Sequence, residues 1–318
     1  MKKITAFLVA LGATFILSAC GGEETKEGIS ETENSKSEKD QSEQGELEKF
    51  EGTVEHIHGL GYTDVDGVTF ASHEGLKIYR EGQWWETPYH KNDYMGFNAV
   101  KGGMYVSGHP GETSDLPNPV GLQKGRAGEE GLDHLGFRGE SDFHLLGVGY
   151  ENEAVYLLND SPDEELETGF YRSFDKGETF EPFRAENLPE DLFQLAVHPI
   201  REKVVAAAAK TGVFLSEDAG ETFKRISEKG QASGLTFTEN SLYFGLLQNG
   251  AAFKKYGLGS EEMETVPLPE FGEDAVLYSA LSPGEDVIVI YTMNGSSYST
   301  EDEGETWKQF LEEGTVTR

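Results

Sequence analysis

The 318-residue chain has a single cysteine, Cys20, so it can form no internal disulfide. A zinc site built from several cysteines is excluded as well. Cations are scarce: 26 Lys and Arg stand against 58 Asp and Glu, a formal net charge of −32. Phosphate backbones and anionic headgroups need a basic patch, so nucleic acid is not an expected partner. The acidity reads as solubility. The apolar run from Ile4 to Leu17 is shorter than the roughly 20 residues that a spanning helix requires. Helical periodicity is scarce too. What fills the chain instead is short β-rich runs punctuated by Gly, Asp and Asn, the pattern of an all-β domain.

The N-terminus reads as a targeting segment, with Lys2 and Lys3 ahead of the apolar run. It ends in "LSAC", Leu17 to Cys20, which resembles a bacterial lipobox. The resemblance implies cleavage after residue 19 and a lipid on Cys20, hence a membrane partner and an extracytoplasmic, lipid-anchored location. Residues 20–49 are Glu, Lys, Ser, Gln and Gly with almost nothing apolar, the composition of a flexible acidic tether. Residues 50–318 are then the folded domain.

Internal repetition sets its architecture. "SFDKGETF" (173–180), "SEDAGETF" (216–223) and "TEDEGETW" (300–307) place Asp175, Asp218 and Asp302 in register. The first gap is 43 residues and the second 84, two periods of 42, so a degenerate copy is expected near residue 260. Asp favours turns and Gly supplies a positive φ, so these aspartates are structural. The pattern resembles the Asp-box, or BNR repeat, of sialidase-like β-propellers, which implies a hairpin turn between the outer strands of a blade. Extending the unit both ways gives six copies of four strands, a six-bladed β-propeller. Seven blades is the alternative if "FEGTVE" (50–55) helps complete another.

Aligning the six first strands puts His58, Met95, His144, Gln194, Ser233 and Tyr278 in one slot lining the central channel. The ends of the second strands hold His73, His109, Lys210, Gln248 and Met293. Both slots open on one face. His58, His73, Met95, His109 and His144 therefore become neighbours, with Met293 near if blade six closes on blade one. His56 is expected to point to the opposite side of its strand. Imidazoles with a thioether suit a soft or borderline ion, and copper fits best. Zinc would be satisfied by the histidines alone and gains little from Met95. The expected function is a copper carrier, sensor or assembly factor with a metal-handling partner. Taken singly, each histidine is better read as a packing residue.

The string "HGLG…SHEGL…YMGF…SGHPG…DFHLLG" followed by Asp-boxes resembles extracytoplasmic propellers labelled sialidase-like or glycosyl hydrolase. Sialidases of this fold use an arginine triad, and the arginines here fall mostly on outer strands and loops. Another glycosidase would need two facing carboxylates. Glu74, Asp93 and Asp142 are the candidates, with Asp160 nearby and Tyr94, Phe143 and Tyr278 to stack a sugar. Cell-wall glycan is the partner in that reading. A scaffold without chemistry is a third class.

Overall fold

Runs such as "VAAAA" (205–209) are apolar at every position, which a strand tolerates only when both its faces are covered. The computed structural model, which describes residues 47–89 and 91–317, shows how. The segment read as a signal, Cys20, most of the stretch read as a tether and His90 lie outside the described residues. Among the described residues, twenty-six strands form six antiparallel sheets, each built from consecutive strands. The first strands of the sheets are Ile57–Thr63, Asp93–Val100, Leu146–Val148, Leu192–Val197, Gln231–Phe237 and Val276–Leu281. Each touches the first strands of its two neighbours, and the sixth touches the first, which closes a ring. The protein is a six-bladed β-propeller.

The core consists of six apolar clusters, one at each seam between blades. Strand alternation assigns residues to them. Val205, Ala207 and Ala209 face blade three, whereas Ala206 and Ala208 face blade five. Small side chains there let three sheets approach closely, as burial on both faces requires.

Among the described residues no seventh blade forms. Glu48–Lys49 instead pairs with Gln83–Glu86, the outer strand of blade one. Shortly afterwards Thr53 bridges Thr315, and the Val54 N–H donates to the Gly314 carbonyl at 2.7 Å. "FEGTVE" therefore staples blade one to blade six from outside. The staple begins inside the stretch read as tether, because an exposed outer strand offers unpaired backbone groups to whatever chain passes it.

The turns of the three sequence repeats match atom for atom. Asp175 accepts hydrogen bonds from the Thr179 N–H at 2.9 Å, the Thr179 hydroxyl at 2.6 Å and the Ser173 hydroxyl at 2.6 Å. Asp218 and Asp302 do the same with Thr222 and Ser216, and with Thr306 and Thr300. Hydrogen bonds from Ser173 and then Thr179 pull the Asp175 carboxyl down to about 2. These carboxylates are spent on their own turns.

His198 serves the seam between blades four and five. It is fully buried; its Nδ1 accepts from the Arg201 N–H at 3.0 Å and its Nε2 lies 3.0 Å from the Glu239 carbonyl. Burial first, and then the Arg201 guanidinium, push it down to about 4. The unfolded chain takes up a proton near 6.5 that the folded one refuses until about 4, so stability falls as pH drops through that window. Urea midpoints measured from pH 7 to 4 should fall for the wild type and fall less steeply for His198→Asn.

Candidate metal centre

His58 is the odd residue of a β-bulge: Ile57 pairs with Ser72 and Gly59 with Ala71. Met95 occupies the same irregularity, between Tyr94 paired with Gly108 and Gly96 paired with Ser107. A bulge breaks strand alternation and re-aims its extra residue, and both side chains line the central cavity of about 420 Å³. The bulges of blades four and six fall between Leu192 and Gln194 and between Val276 and Tyr278. Phe193 and Leu277 are thus the counterparts of His58, one residue before the expected Gln194 and Tyr278. The sequence alignment had no means of placing the extra residue.

His144 lies in a bend ahead of its inner strand, not on it. Phe143 is fully buried and its N–H donates to the Ser107 hydroxyl at 2.9 Å. With Phe143 pinned into the core, Asp142 and His144 on either side are turned outward together. Gly96 permits this, since a Cβ there would collide with the Phe143 carbonyl. Gly108, at φ +149°, plays the same part inside blade two, where a Cβ would strike the Asp93 carbonyl. Its absence lets Asp93 and His109 sit directly opposite each other as register partners.

The expected five-ligand set does not form as one group. The structure brings together two triads, His58/His73/Asp93 and His109/Asp142/His144, each with one donor atom per residue within 4.8 Å of the others. In the first, Asp93 Oδ1 is 4.0 Å from His58 Nε2 and Oδ2 is 3.7 Å from His73 Nδ1. In the second, Asp142 Oδ2 is 2.9 Å from His109 Nε2 and Oδ1 is 3.0 Å from His144 Nε2. A carboxylate completes each triad where sequence reasoning had put a thioether. Met95 lines the cavity beside His58 and His144. Met293 is exposed at the end of its strand. His56, at φ +50°, escapes strand alternation, and its ring stands 5.0 Å from that of His73.

Of the three carboxylates named as catalytic candidates, Asp93 and Asp142 sit inside the triads, while Glu74 is exposed on the turn after His73. Asp160 is exposed and acts on His144 only through its charge. Tyr94 and Phe143 are buried in the seams and cannot stack a sugar; Tyr278 does line the cavity, as does Phe193. Among the described residues, no arginine lines that cavity. Sequence reasoning missed Asn118, whose Oδ1 lies 2.7 Å from His109 Nδ1 and fixes the ring. It comes from the loop between Gly103–His109 and Leu122–Gly125, and no spacing pattern signals it.

The electrostatics of the two triads differ. His58 is held below 6.5 by burial, then by neighbouring His73 against the pull of Asp93. His144 is held above 6.5, first by its hydrogen bond to Asp142. Two buried polar atoms here have no hydrogen-bond partner: His58 Nε2 and Asp93 Oδ1. Native structures leave few such atoms, and an ion is one of the standard reasons for them.

Fold and site together define a six-bladed propeller whose channel mouth carries paired imidazoles and carboxylates. No protein-family model matches the chain, and no curated protein does. Among solved structures it is similar to the Niastella koreensis GH74 enzyme, at 10% identity and a TM-score of 0.55, over 83% of this chain and 46% of that one. An ancestral GH74 enzyme aligns at 12% identity and a TM-score of 0.52, over 83% and 39%. The extracellular domain of BT4673 from B. thetaiotaomicron aligns at 11% and 0.52, over 83% and 35%. This chain spans less than half the length of each. What is shared at such identities is the fold, a β-propeller.

Proposed function

We propose that this protein binds a divalent first-row transition ion at the channel mouth, as an extracytoplasmic carrier, sensor or assembly factor. The observation that carries the reading is a pair of orphaned atoms, His58 Nε2 and Asp93 Oδ1, in a triad that stands beside a second one of the same composition. The 4.0 Å between them is too long for a hydrogen bond, so neither atom satisfies the other. Two nitrogens and an oxygen suit copper(II) or zinc, and the general affinity order for such donors puts copper(II) ahead. Copper(I) would depend on Met95. The lipobox at Cys20 supports an anchored location outside the cytoplasm, which the extracellular origin of BT4673 also favours.

The test is retention. Chelator-stripped full-length protein is dialysed against copper(II) or zinc, and the bound ion is measured by elemental analysis. Retention that falls in the His109→Ala/His144→Ala variant supports the reading; no retention of either ion by the wild type sinks it.

A glycosidase is the second reading, favoured by the GH74 enzymes among the similar structures and by Phe193 and Tyr278 in the cavity wall. It requires polysaccharide hydrolysis that persists in chelator and is lost in Asp93→Asn and Asp142→Asn.

A further inference from the structure

Each triad takes one residue from blade two, the first adding His58 and His73 of blade one and the second Asp142 and His144 ahead of blade three, and that shared blade goes further than metal binding as such. Asp93 belongs to the first triad and His109 to the second, yet the two are register partners on neighbouring antiparallel strands. Directly opposed residues project from the same face of a sheet with Cβ atoms about 4.5–5.5 Å apart. The triads are therefore separated by one cross-strand step. His58 and His144, one from each triad, line the same cavity. His58 also senses the charge of His144, and His144 that of Asp93.

Resting on the metal-binding reading, we propose that the two triads are halves of a single two-ion site, filled in order. The halves are unequally prepared. With metal–ligand bonds near 2.05 Å, neighbouring ligands lie about 2.9 Å apart in an octahedral site and about 3.3 Å in a tetrahedral one. The His109/Asp142/His144 triad already shows separations of 2.9 and 3.0 Å, and Asn118 braces His109 from behind. Outer partners of that kind orient a ligating imidazole. The His58/His73/Asp93 triad stands wider, at 4.0 and 3.7 Å, and its two imidazoles are stacked with centroids 4.7 Å apart. It must close by about 0.4–0.7 Å for a tetrahedral ion, and by more for an octahedral one, and part that stack. The first equivalent enters the prepared triad and the second the wider one. Three protein donors in each leave positions facing the channel, where a group from a partner or a small ligand completes both ions at once.

The experiment is a copper(II) titration of the stripped full-length protein, followed by elemental analysis after dialysis and by electron paramagnetic resonance. We expect two ions per chain, the first held at least about tenfold more tightly because its donors are preorganised. The signal of the first ion should broaden and lose intensity as the second enters. Asp142→Asn should abolish the tighter step and Asp93→Asn the weaker, each leaving one ion. If either variant fails to fold by circular dichroism, His144→Ala and His73→Ala, at exposed positions, take their places. One ion in the wild type overturns the two-ion site and leaves the metal-binding reading standing. Two ions with no magnetic interaction overturn the shared site. No ion overturns both.

Discussion

Replacing His109 and His144 together by alanine should weaken the tighter copper(II) binding step on the order of 100-fold or more, since losing even an outer-shell partner of a ligand costs about 10–100-fold. The substitution leaves Asp142 as the only donor of its triad. It should also be specific. Both rings are well exposed, at 41% and 50%, so neither seals a seam of the core. Exposed substitutions of this kind usually stay within about 0.5 kcal/mol, so melting of the metal-free variant should match the wild type within a degree or two. A large fall in melting temperature would instead make these residues structural. The binding should also depend on pH in a defined direction. An ion displaces protons from its ligands. His144 holds its proton to a pH above 6.5, so apparent affinity falls as pH drops through that range. Competition titrations at pH 6 and 8 against a chelator of known affinity would measure it.

The second large effect concerns closure of the ring. Phe310, on strand Lys308–Glu312 of blade six, is 2% exposed. It stacks on Tyr79 at 4.4 Å and meets Phe70 and Trp84, all three from blade one. Phe310→Ala should cost about 3–5 kcal/mol, by lost burial and the cavity left behind. That corresponds to roughly 10 °C in melting temperature for a domain of this size. The location of the damage distinguishes this site from other core residues. The Phe50 and Val54 N–H groups, bonded to the Trp84 and Gly314 carbonyls, should lose protection from hydrogen exchange ahead of the rest. Phe253→Ala, fully buried at the seam of blades five and six, is the control. It should destabilise comparably without selectively exposing those two amides. If both variants opened the same amides, the staple between blades one and six would not be the weak point of the ring.

Much of the fold was legible in the sequence because a propeller repeats. Asp175, Asp218 and Asp302 recur with Ser or Thr two residues before and Thr four after, and each box closes its turn by bonds within eight residues. Local interactions of that range are written in local sequence. Blade number followed from the period. The face on which His58, His73, His109 and His144 gather followed from strand order alone.

Tertiary structure decided how those residues group. The bulges that re-aim His58 and Met95 insert one residue without a sequence mark, so the slot in blades four and six slipped by one. Asp93 and Asp142 read as turn caps or catalytic acids along the chain. They became the third donor of each triad only because Gly96 and Gly108 let backbones from separate segments touch. Asn118 reaches His109 from a loop of no regular structure. The sequence determined which side chains arrive at the channel mouth, since strand period and blade count depend on near neighbours. Which of them come within bonding distance depends on side-chain packing across the blade seams, and that is fixed only when the ring closes.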